Sequence, residues 1–305
     1  MSRARWSAVA RRAYGLVLVV LAVAVLVARW DQIGTLTTGA RPGPLVAALG
    51  LGLVSLGQST LFWWRGLTSM GAQRTAGDVL EATVAAIPAR YLPGSVWYAA
   101  GRVGHLRRGG TPTTTLTAIA GLEMLLSFVV ALGFGAGLLV ASGQRPEVGG
   151  PALVGLAAAL ALIASPWVVN PALRWLARRR GTSAGPELRW TAYLELCGHL
   201  VGFWATSAAA FLCYLAAFPT IDTPGLVRTA GTFLVAWAVG FAAFFAPQGA
   251  GVFETTVAGL LSGAPVAALA IVVAGYRALT AVRDALALLG LAARRALRAR
   301  RGAAV

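Results

Sequence analysis

The amino-acid sequence predicts an all-α protein that crosses a membrane several times. Of its 305 residues, 58% are hydrophobic and only 12% are charged, and the mean hydropathy is +0.73. An ordinary globular chain carries about 25% charged residues, so too few charges remain here to cover a water-exposed surface. Several apolar stretches also reach the roughly 20 residues that a helix needs to cross a hydrocarbon layer about 30 Å thick. The bilayer is therefore the expected solvent for most of the chain.

Six apolar stretches predict complete transmembrane helices, because prolines, glycines or charged residues bound each of them. They comprise residues 14–28, 44–64, 112–142, 151–169, 190–218 and 264–290. The first stretch follows several arginines, as the apolar part of a signal peptide does. However, Arg29, Trp30 and Asp31 occupy the place of a small-residue cleavage site. We therefore expect this stretch to remain as the first membrane helix.

Two further apolar regions, residues 76–108 and 226–262, are interrupted near their middles. Proline removes a backbone donor and glycine relaxes the helical restraint, so each region predicts two helical arms joined by a non-helical tip. The arm at residues 95–108, about 21 Å long, is short for a complete crossing, whereas the arm at residues 226–246, about 31 Å long, could cross, so re-entrant and spanning pairs both stay open. The tip at residues 246–251 contains no arginine, which favours a position inside the membrane, where irregular backbone must be buried or line a cavity.

The arginines predict the orientation, since basic residues concentrate in cytoplasmic loops. With a cytoplasmic amino terminus, 19 of the 26 arginines fall on the cytoplasmic side, including Arg102 and the run at residues 178–180. Four fall outside, and Arg90, Arg277 and Arg283 lie within the apolar part of the chain. Both termini are therefore expected to be cytoplasmic.

The order of span, span, interrupted pair and span occurs twice, within residues 1–142 and again within residues 151–290, before a basic tail at 291–305. The first copy begins inside and ends outside, and the second does the reverse. This order is typical of inverted-repeat transporters, whose substrate site lies near the bilayer midplane between discontinuous helices. Evenly spaced helices can also produce such an order by chance.

The first interruption is the sharpest candidate for a binding site. A helix that restarts after Pro93 and Gly94 leaves amide groups free from Ser95 to Trp97, with Ser95 able to cap. Such a helix start binds anions through its donors and its dipole, and Arg90 adds a full positive charge beside it. A phosphate group fits this description. The alternative is a kinked helix with a snorkelling arginine and an interfacial tryptophan.

The second interruption offers matching features. Pro247, Gly249 and Gly251 permit close backbone approach, and a helix begins directly afterwards. Glu254 lies in the first turn of that helix, where a carboxylate suits the helix dipole. It could equally carry a proton or pair with an arginine inside the membrane.

Charged residues inside apolar spans are costly and therefore indicate function. Arg277 lies in a long apolar stretch. We expect it to face the bundle interior and to pair with Glu254, with Glu123 or with a ligand anion. Arg283 and Asp284 could equally form an interfacial pair without function.

The sequence also argues against several other functions. The net charge is +16, but the basic residues lie between apolar spans and not along a soluble surface with stacking aromatics, so nucleic-acid binding is not expected. His105 and His199 offer no metal-ligand spacing, and neither a nucleophile motif nor a nucleotide-binding loop is found. We expect no metal, no cofactor and no enzymatic activity.

Two passages resemble the lysylphosphatidylglycerol synthase transmembrane-region family, which is also described as flippase-like. They are RYLPGSVWYAAGR at residues 90–102 and PQGAGVFETTVAGLL at residues 247–261, followed downstream by Tyr276-Arg277. The family's Pro-Gly tip and its Pro-x-Gly-x-Gly tip with a following glutamate map onto Pro93, Gly94, Pro247, Gly249, Gly251 and Glu254. The chain departs from the family in having Phe253 before that glutamate and Met124 after Glu123, where members often have arginine.

The resemblance implies a lipid-handling protein of the inner cell membrane. We therefore expect a transporter that binds an anionic lipid headgroup, from a phospholipid or a polyprenyl-phosphate-linked sugar, and moves it across the bilayer. The expected lipid-binding residues are Arg90, Pro93, Gly94, Ser95, Trp97, Glu123, Pro247, Gly249, Gly251, Glu254 and Arg277. The alternative is a non-transporting partner or scaffold for a lipid-linked glycosyltransferase or another cell-envelope enzyme. Self-association is also open.

Overall fold

The computed structural model describes residues 39–92, 96–143, 150–179, 187–243, 249–261 and 266–302. Regular structure in these ranges is entirely helical, and no strand occurs within them. The predicted all-α class is therefore confirmed. The first predicted helix, at residues 14–28, lies outside the described residues.

The helices of the first half surround an interruption at the predicted place. They are α1 (Pro42–Ser69), α2 (Ala76–Ala85), a short 3-10 helix (Ile87–Tyr91), α3 (Val96–Arg108) and α4 (Thr113–Ala141). Arms α2 and α3 contain 10 and 13 residues, or about 15 and 20 Å of helix, so neither can cross the hydrocarbon layer alone. Residues 93–95, which include Pro93, Gly94 and Ser95, lie outside the described ranges.

The second half contains a second interruption, also at the predicted place. Its helices are α5 (Gly150–Ile163), α6 (Pro166–Arg179), α7 (Trp190–Ala216), α8 (Leu226–Ala242), α9 (Val252–Leu260) and α10 (Val266–Gly302). Helix α8 ends where the interruption begins and α9 starts after it, while Pro247 lies outside the described residues. Helix α10 has 37 residues, about 55 Å, and continues through most of the segment that the sequence assigned to a tail.

Four helical segments of the described residues are long and apolar enough to cross a membrane. They are Pro42–Ser69, Thr113–Ala141, Val154–Trp175 and Trp190–Ala216. These segments correspond to four of the six predicted complete spans. The third includes parts of both α5 and α6, which are separated by a break at residues 164–165.

Helices α4 and α8 cross in close backbone contact at two glycines. A Cβ atom added to Gly135 of α4 would lie 2.8 Å from the Cβ of Leu234 and 2.9 Å from the backbone nitrogen of Val235, both in α8. A Cβ atom on Gly231 of α8 would lie 2.9 Å from the carbonyl oxygen of Gly135. The two backbones therefore touch, as small residues allow in membrane proteins.

An aromatic cluster fixes α9 after the second interruption. Phe211 of α7, Phe233 of α8, Phe253 of α9 and Tyr276 of α10 have neighbouring ring centroids 4.8–6.4 Å apart. Aromatic pairs of this kind contribute roughly 0.5–1.5 kcal/mol each beyond the burial of their area. The short helix α9 is therefore held by side chains from three longer helices.

An ion pair joins the first turns of α2 to the carboxyl-terminal part of α10. Thr75 caps α2 by accepting the Asp78 amide proton at 3.1 Å, and the reciprocal bond from the Thr75 amide completes the capping box. The hydrogen bond from Thr75 lowers the pKa of Asp78. One turn later Glu81 accepts two hydrogen bonds from Arg295 of α10, at 2.7 and 3.0 Å. Helix α10 thus extends past the apolar core to contact α2.

We predict that Gly135→Ala destabilises the protein, because the added methyl group meets the α8 backbone. Overpacking of this kind costs about 1–3 kcal/mol, which should lower the midpoint of thermal unfolding in detergent. Gly137→Ala is the matched control, since a Cβ atom there meets no non-local atom within 4 Å. Equal losses in the two variants would contradict a backbone contact between α4 and α8.

Candidate functional site

A cavity of about 270 Å³ lies between the helices, and both interruptions contribute to its wall. Its lining residues come from α1, α3, α4, α7, α8, α9 and α10, together with Arg90 of the 3-10 helix and Gly249 of the second interruption. Small-molecule sites usually enclose roughly 300–1,000 Å³, so this volume suits a headgroup better than a whole lipid.

Only some of the lipid-binding residues expected from the sequence line this cavity. Those that line the cavity are Arg90, Glu123, Gly249 and Arg277. Trp97 of α3 is 46% exposed and is not among the described lining residues. The candidates outside the described residues are Pro93, Gly94, Ser95 and Pro247. Gly251 and Glu254 form part of the network behind Arg277.

The predicted pair between Arg277 and Glu254 is confirmed. The guanidinium Nε of Arg277 donates to Oε1 of Glu254, whose other oxygen accepts the Gly251 amide proton at 2.7 Å. The Arg277 guanidinium also lies 5.6 Å from the centre of the Phe253 ring. The Glu254 carboxylate therefore binds both the backbone amide of Gly251, at the start of α9, and the Arg277 side chain of α10.

Gly249 brings this interruption against α8. Its φ angle is +67°, and a Cβ atom there would lie 2.6 Å from the carbonyl oxygen of Gly240. A left-handed backbone and a direct backbone contact both require glycine at this position. Gly249 therefore packs directly against the α8 backbone at the wall of the cavity.

Asp284 holds the first interruption to the same helix, α10. Its Oδ2 accepts from Arg90 at 3.4 Å and from the Tyr91 hydroxyl at 3.1 Å, while Oδ1 accepts from Arg283 at 2.6 Å. The Asp284 side chain is only 3% exposed. The Arg283–Asp284 pair that the sequence offered is formed, and its carboxylate is buried and also accepts from Arg90 and Tyr91.

Arg102 forms a further ion pair at the cavity, with Glu123. It was not among the lipid-binding residues expected from the sequence. Its guanidinium donates to Glu123 at 2.5 Å and to the Ser59 hydroxyl at 3.1 Å, and its carbon Cζ lies 4.2 Å from the Tyr98 ring centre and 4.6 Å from that of Trp63. The side chain is only 2% exposed. The sequence counted Arg102 among the arginines of the cytoplasmic side without singling it out, and the structure buries its side chain beside the cavity.

A helical pattern in α3 could have identified Arg102. Ala99, Arg102 and Leu106 are spaced by three and four residues, which places them on one face, and all three are buried. The sequence also left Glu123 open as a partner of Arg277, and in the structure Glu123 pairs with Arg102.

Aromatic rings form part of the cavity wall. Trp237 has its ring centre 4.1 Å from that of Trp204 and 5.0 Å from that of Phe241, and Phe203 packs edge-on against Trp204. The indole Nε1 of Trp204 is buried and has no hydrogen-bond partner among the described residues. The cavity is therefore lined by both basic and aromatic side chains.

No group of three or more histidine, cysteine, aspartate or glutamate side chains in the described ranges is arranged to hold a metal ion. Cys197 and Cys213 are not bonded to each other, as their spacing along α7 predicts. The polar chemistry of the described cavity is that of guanidinium groups, carboxylates and hydroxyls.

Comparison with known proteins identifies one relevant family. The family model described as lysylphosphatidylglycerol synthase TM region matches residues 12–287 of the chain. This range includes every described residue that lines the cavity. A search of curated proteins finds no match.

We predict that Gly249→Ala loosens the second interruption from α8 and lowers the midpoint of thermal unfolding. Gly251→Ala is the control: its φ angle of +83° is also unfavourable for alanine, but a Cβ atom there meets nothing within 4 Å. The excess loss in Gly249→Ala measures the contact with α8, and equal losses would show that only backbone strain matters.

We also predict strong coupling between Arg102 and Glu123. Arg102→Met leaves a buried carboxylate without its partner, and removing one member of such a pair costs about 3–5 kcal/mol. Adding Glu123→Gln should recover part of that loss. A double-mutant cycle on unfolding free energies measures the coupling, with the exposed Arg65–Glu195 pair as a control expected below about 1 kcal/mol. Additive losses at the buried pair would show that its two side chains stabilise the protein independently.

Proposed function

The chain belongs to the lysylphosphatidylglycerol synthase transmembrane-region family, and from this premise we propose that it is a transporter of anionic lipids. In this proposal the lipid headgroup binds in the cavity between the two interruptions and then crosses the bilayer. The substrate class is a phospholipid or a polyprenyl-phosphate-linked sugar. The protein acts by binding and translocation, without chemical change to the lipid.

The observation that carries the proposal is the set of arginines at the cavity. Arg90, Arg102, Arg277 and Arg283 all line it, although four of the helices around it, α1, α4, α7 and α8, are apolar. Charged groups within a membrane are costly and usually mark a pathway for a charged substrate. Guanidinium groups also match phosphate oxygens well, because their planar donors can bind two oxygens at once.

The two interruptions supply a second argument. Discontinuous helices that meet at one cavity are common in secondary transporters, where irregular backbone lines the substrate site. We propose that both tips lie within the membrane and that the two halves, residues 1–142 and 151–290, form an inverted repeat. Alternating access would then come from movement of one half relative to the other around the cavity.

The protein is multi-pass, and we propose the inner cell membrane as its location, with both termini in the cytoplasm. The basic end of α10 supports this orientation, since Arg294, Arg295, Arg298 and Arg300 lie in its last turns. Basic residues near the ends of membrane helices are retained on the cytoplasmic side.

The exposed arginines at the end of α6 favour a second candidate function. Arg178 and Arg179 are exposed, and Arg179 lies over the ring of Trp175 at 4.1 Å. Such a surface could recruit a cytoplasmic glycosyltransferase that uses a lipid-linked sugar. Association that depends on these two arginines, together with an absence of lipid translocation, would favour a scaffold over a transporter.

We predict that Arg90→Gln and Arg277→Gln each slow lipid translocation in proteoliposomes. A hydrogen bond to a charged group contributes about 1.5–3 kcal/mol, so the rate should fall by roughly tenfold to a hundredfold. Translocation of fluorescent anionic lipid is measured from its accessibility to a reductant added outside. Arg90→Gln is the milder change, because Asp284 keeps its contact with Arg283.

Arg174→Gln is the matched control for both variants. Arg174 is 52% exposed, pairs with Glu187 and does not line the cavity. Each variant is first checked to be folded at the temperature of the assay. Wild-type rates in both cavity variants, or loss of rate in the control alone, would remove the proposed site.

A further inference from the structure

The ring of Tyr98 contacts two of the arginines that line the cavity. The Cζ carbon of Arg90 lies 4.4 Å from the ring centre, and the Cζ carbon of Arg102 lies 4.2 Å from it. Arg90 belongs to the 3-10 helix before the first interruption, whereas Tyr98 and Arg102 belong to α3 after it. One aromatic side chain therefore connects basic residues from the two sides of this interruption.

The Tyr98 side chain is itself held by its surroundings. Its hydroxyl donates to the carbonyl oxygen of Thr83 in α2, at 3.4 Å. Its ring packs against an apolar cluster whose members come from α1, α2, the 3-10 helix and α10, namely Leu56, Val84, Ile87 and Leu291. Contacts from four other elements therefore fix the ring at the wall of the cavity.

An aromatic ring can hold a guanidinium group without accepting hydrogen bonds from it. The attraction comes from the negative face of the ring, and it is strongest where water is excluded. The five N–H donors of the guanidinium group are then not needed for this contact and can bind ligand oxygens. A carboxylate, in contrast, occupies the donors of the arginine that it holds.

This difference matters most for Arg90. Arg90 donates to Asp284 at 3.4 Å, whereas Arg283 donates to the same carboxylate at 2.6 and 3.0 Å. A ligand oxygen can therefore replace Asp284 at Arg90 while Asp284 keeps its partner Arg283. Once the contact with Asp284 is given up, the ring of Tyr98 still holds Arg90 at the cavity.

We propose that Tyr98 is a positioning residue for ligand binding, whose ring holds Arg90 and Arg102 at the cavity wall without requiring their N–H donors. This proposal rests on the proposed function, in which an anionic headgroup binds in the cavity. The two guanidinium groups repel each other, and the shared ring offsets this repulsion because it attracts both. An aliphatic side chain at this position lacks that attraction, so the arginines can move apart and the ligand binds more weakly.

The test is translocation by the full-length protein in phosphatidylcholine proteoliposomes that contain increasing mole fractions of a fluorescent lipid. Phosphatidylglycerol and a polyprenyl phosphate hexose are the two probes, and they distinguish the two lipid sources. For a probe that the wild-type protein moves, Tyr98→Leu should raise KM about tenfold and leave the maximal rate within about twofold, because the ring supports binding throughout. Tyr98→Phe keeps the ring and should leave both parameters within about twofold of wild type.

Tyr193→Leu is the matched control. The Tyr193 hydroxyl also donates to a carbonyl oxygen, that of Ala161 at 3.0 Å, but its ring does not line the cavity, and no arginine of the described ranges lies over it. This variant should lower the unfolding midpoint without changing KM, as a purely structural loss does. Tyr98→Met is a second aliphatic variant, for use if Tyr98→Leu does not fold.

A second measurement repeats the Tyr98→Leu change in Arg90→Gln protein. Only the contact with Arg102 remains for the ring to lose in this background, so KM should rise about threefold and not tenfold. The double-mutant cycle thus reports the contact between Tyr98 and Arg90 directly.

The outcomes separate this proposal from the proposed function. If the wild-type protein moves neither probe, the proposed function fails and this proposal fails with it. If the wild-type protein moves a probe and the folded aliphatic variants at Tyr98 keep its KM, only the positioning role is overturned. An equal rise of KM in Tyr98→Phe, or an undiminished rise in the Arg90→Gln background, overturns it as well.

Discussion

Ion pairs to one helix, α10, hold both interruptions of the fold. Where a helix stops inside an apolar environment, its backbone and the charged side chains nearby must find partners within the protein. Arg277 provides one for the second interruption by binding Glu254, which in turn binds the Gly251 amide. Asp284 provides another for the first by binding Arg90 and Tyr91. Helix α10 therefore contacts the 3-10 helix before the first interruption and helix α9 after the second.

This arrangement is better explained by function than by stability. Taking charges out of water costs several kcal/mol per ion, and well-packed apolar residues often stabilise a core as much as an ion pair does. Arg102 shows the point most clearly, since it is almost fully buried, stacks on two aromatic rings and still has an unused donor among the described residues. The proposed binding of an anionic headgroup would account for a polar cluster of this cost.

Sequence reasoning recovered the helical class, the two interruptions and the Arg277–Glu254 pair, because each depends on a local signal. Apolar length, proline with glycine, and an isolated charge in an apolar run are all visible in a short stretch of sequence. The roles of Arg102 and Asp284 depend on partners 21 and 194 residues away in the chain. Counting the arginines on each side of the membrane assigned Arg102 to the cytoplasmic side, because such a count ignores which face of a helix a residue occupies.

The ionic contacts of α10 have a geometric consequence. Arg277, Asp284 and Arg295 are separated by seven and eleven residues, close to two and three full turns, so they form a single stripe along the helix. They reach α9, the 3-10 helix and α2 respectively. Twisting α10 about its own axis would displace all three side chains sideways together. Three ion pairs, far apart along the helix, therefore fix the rotation of α10 about its own axis. A rotation that broke one of them would also strain the other two.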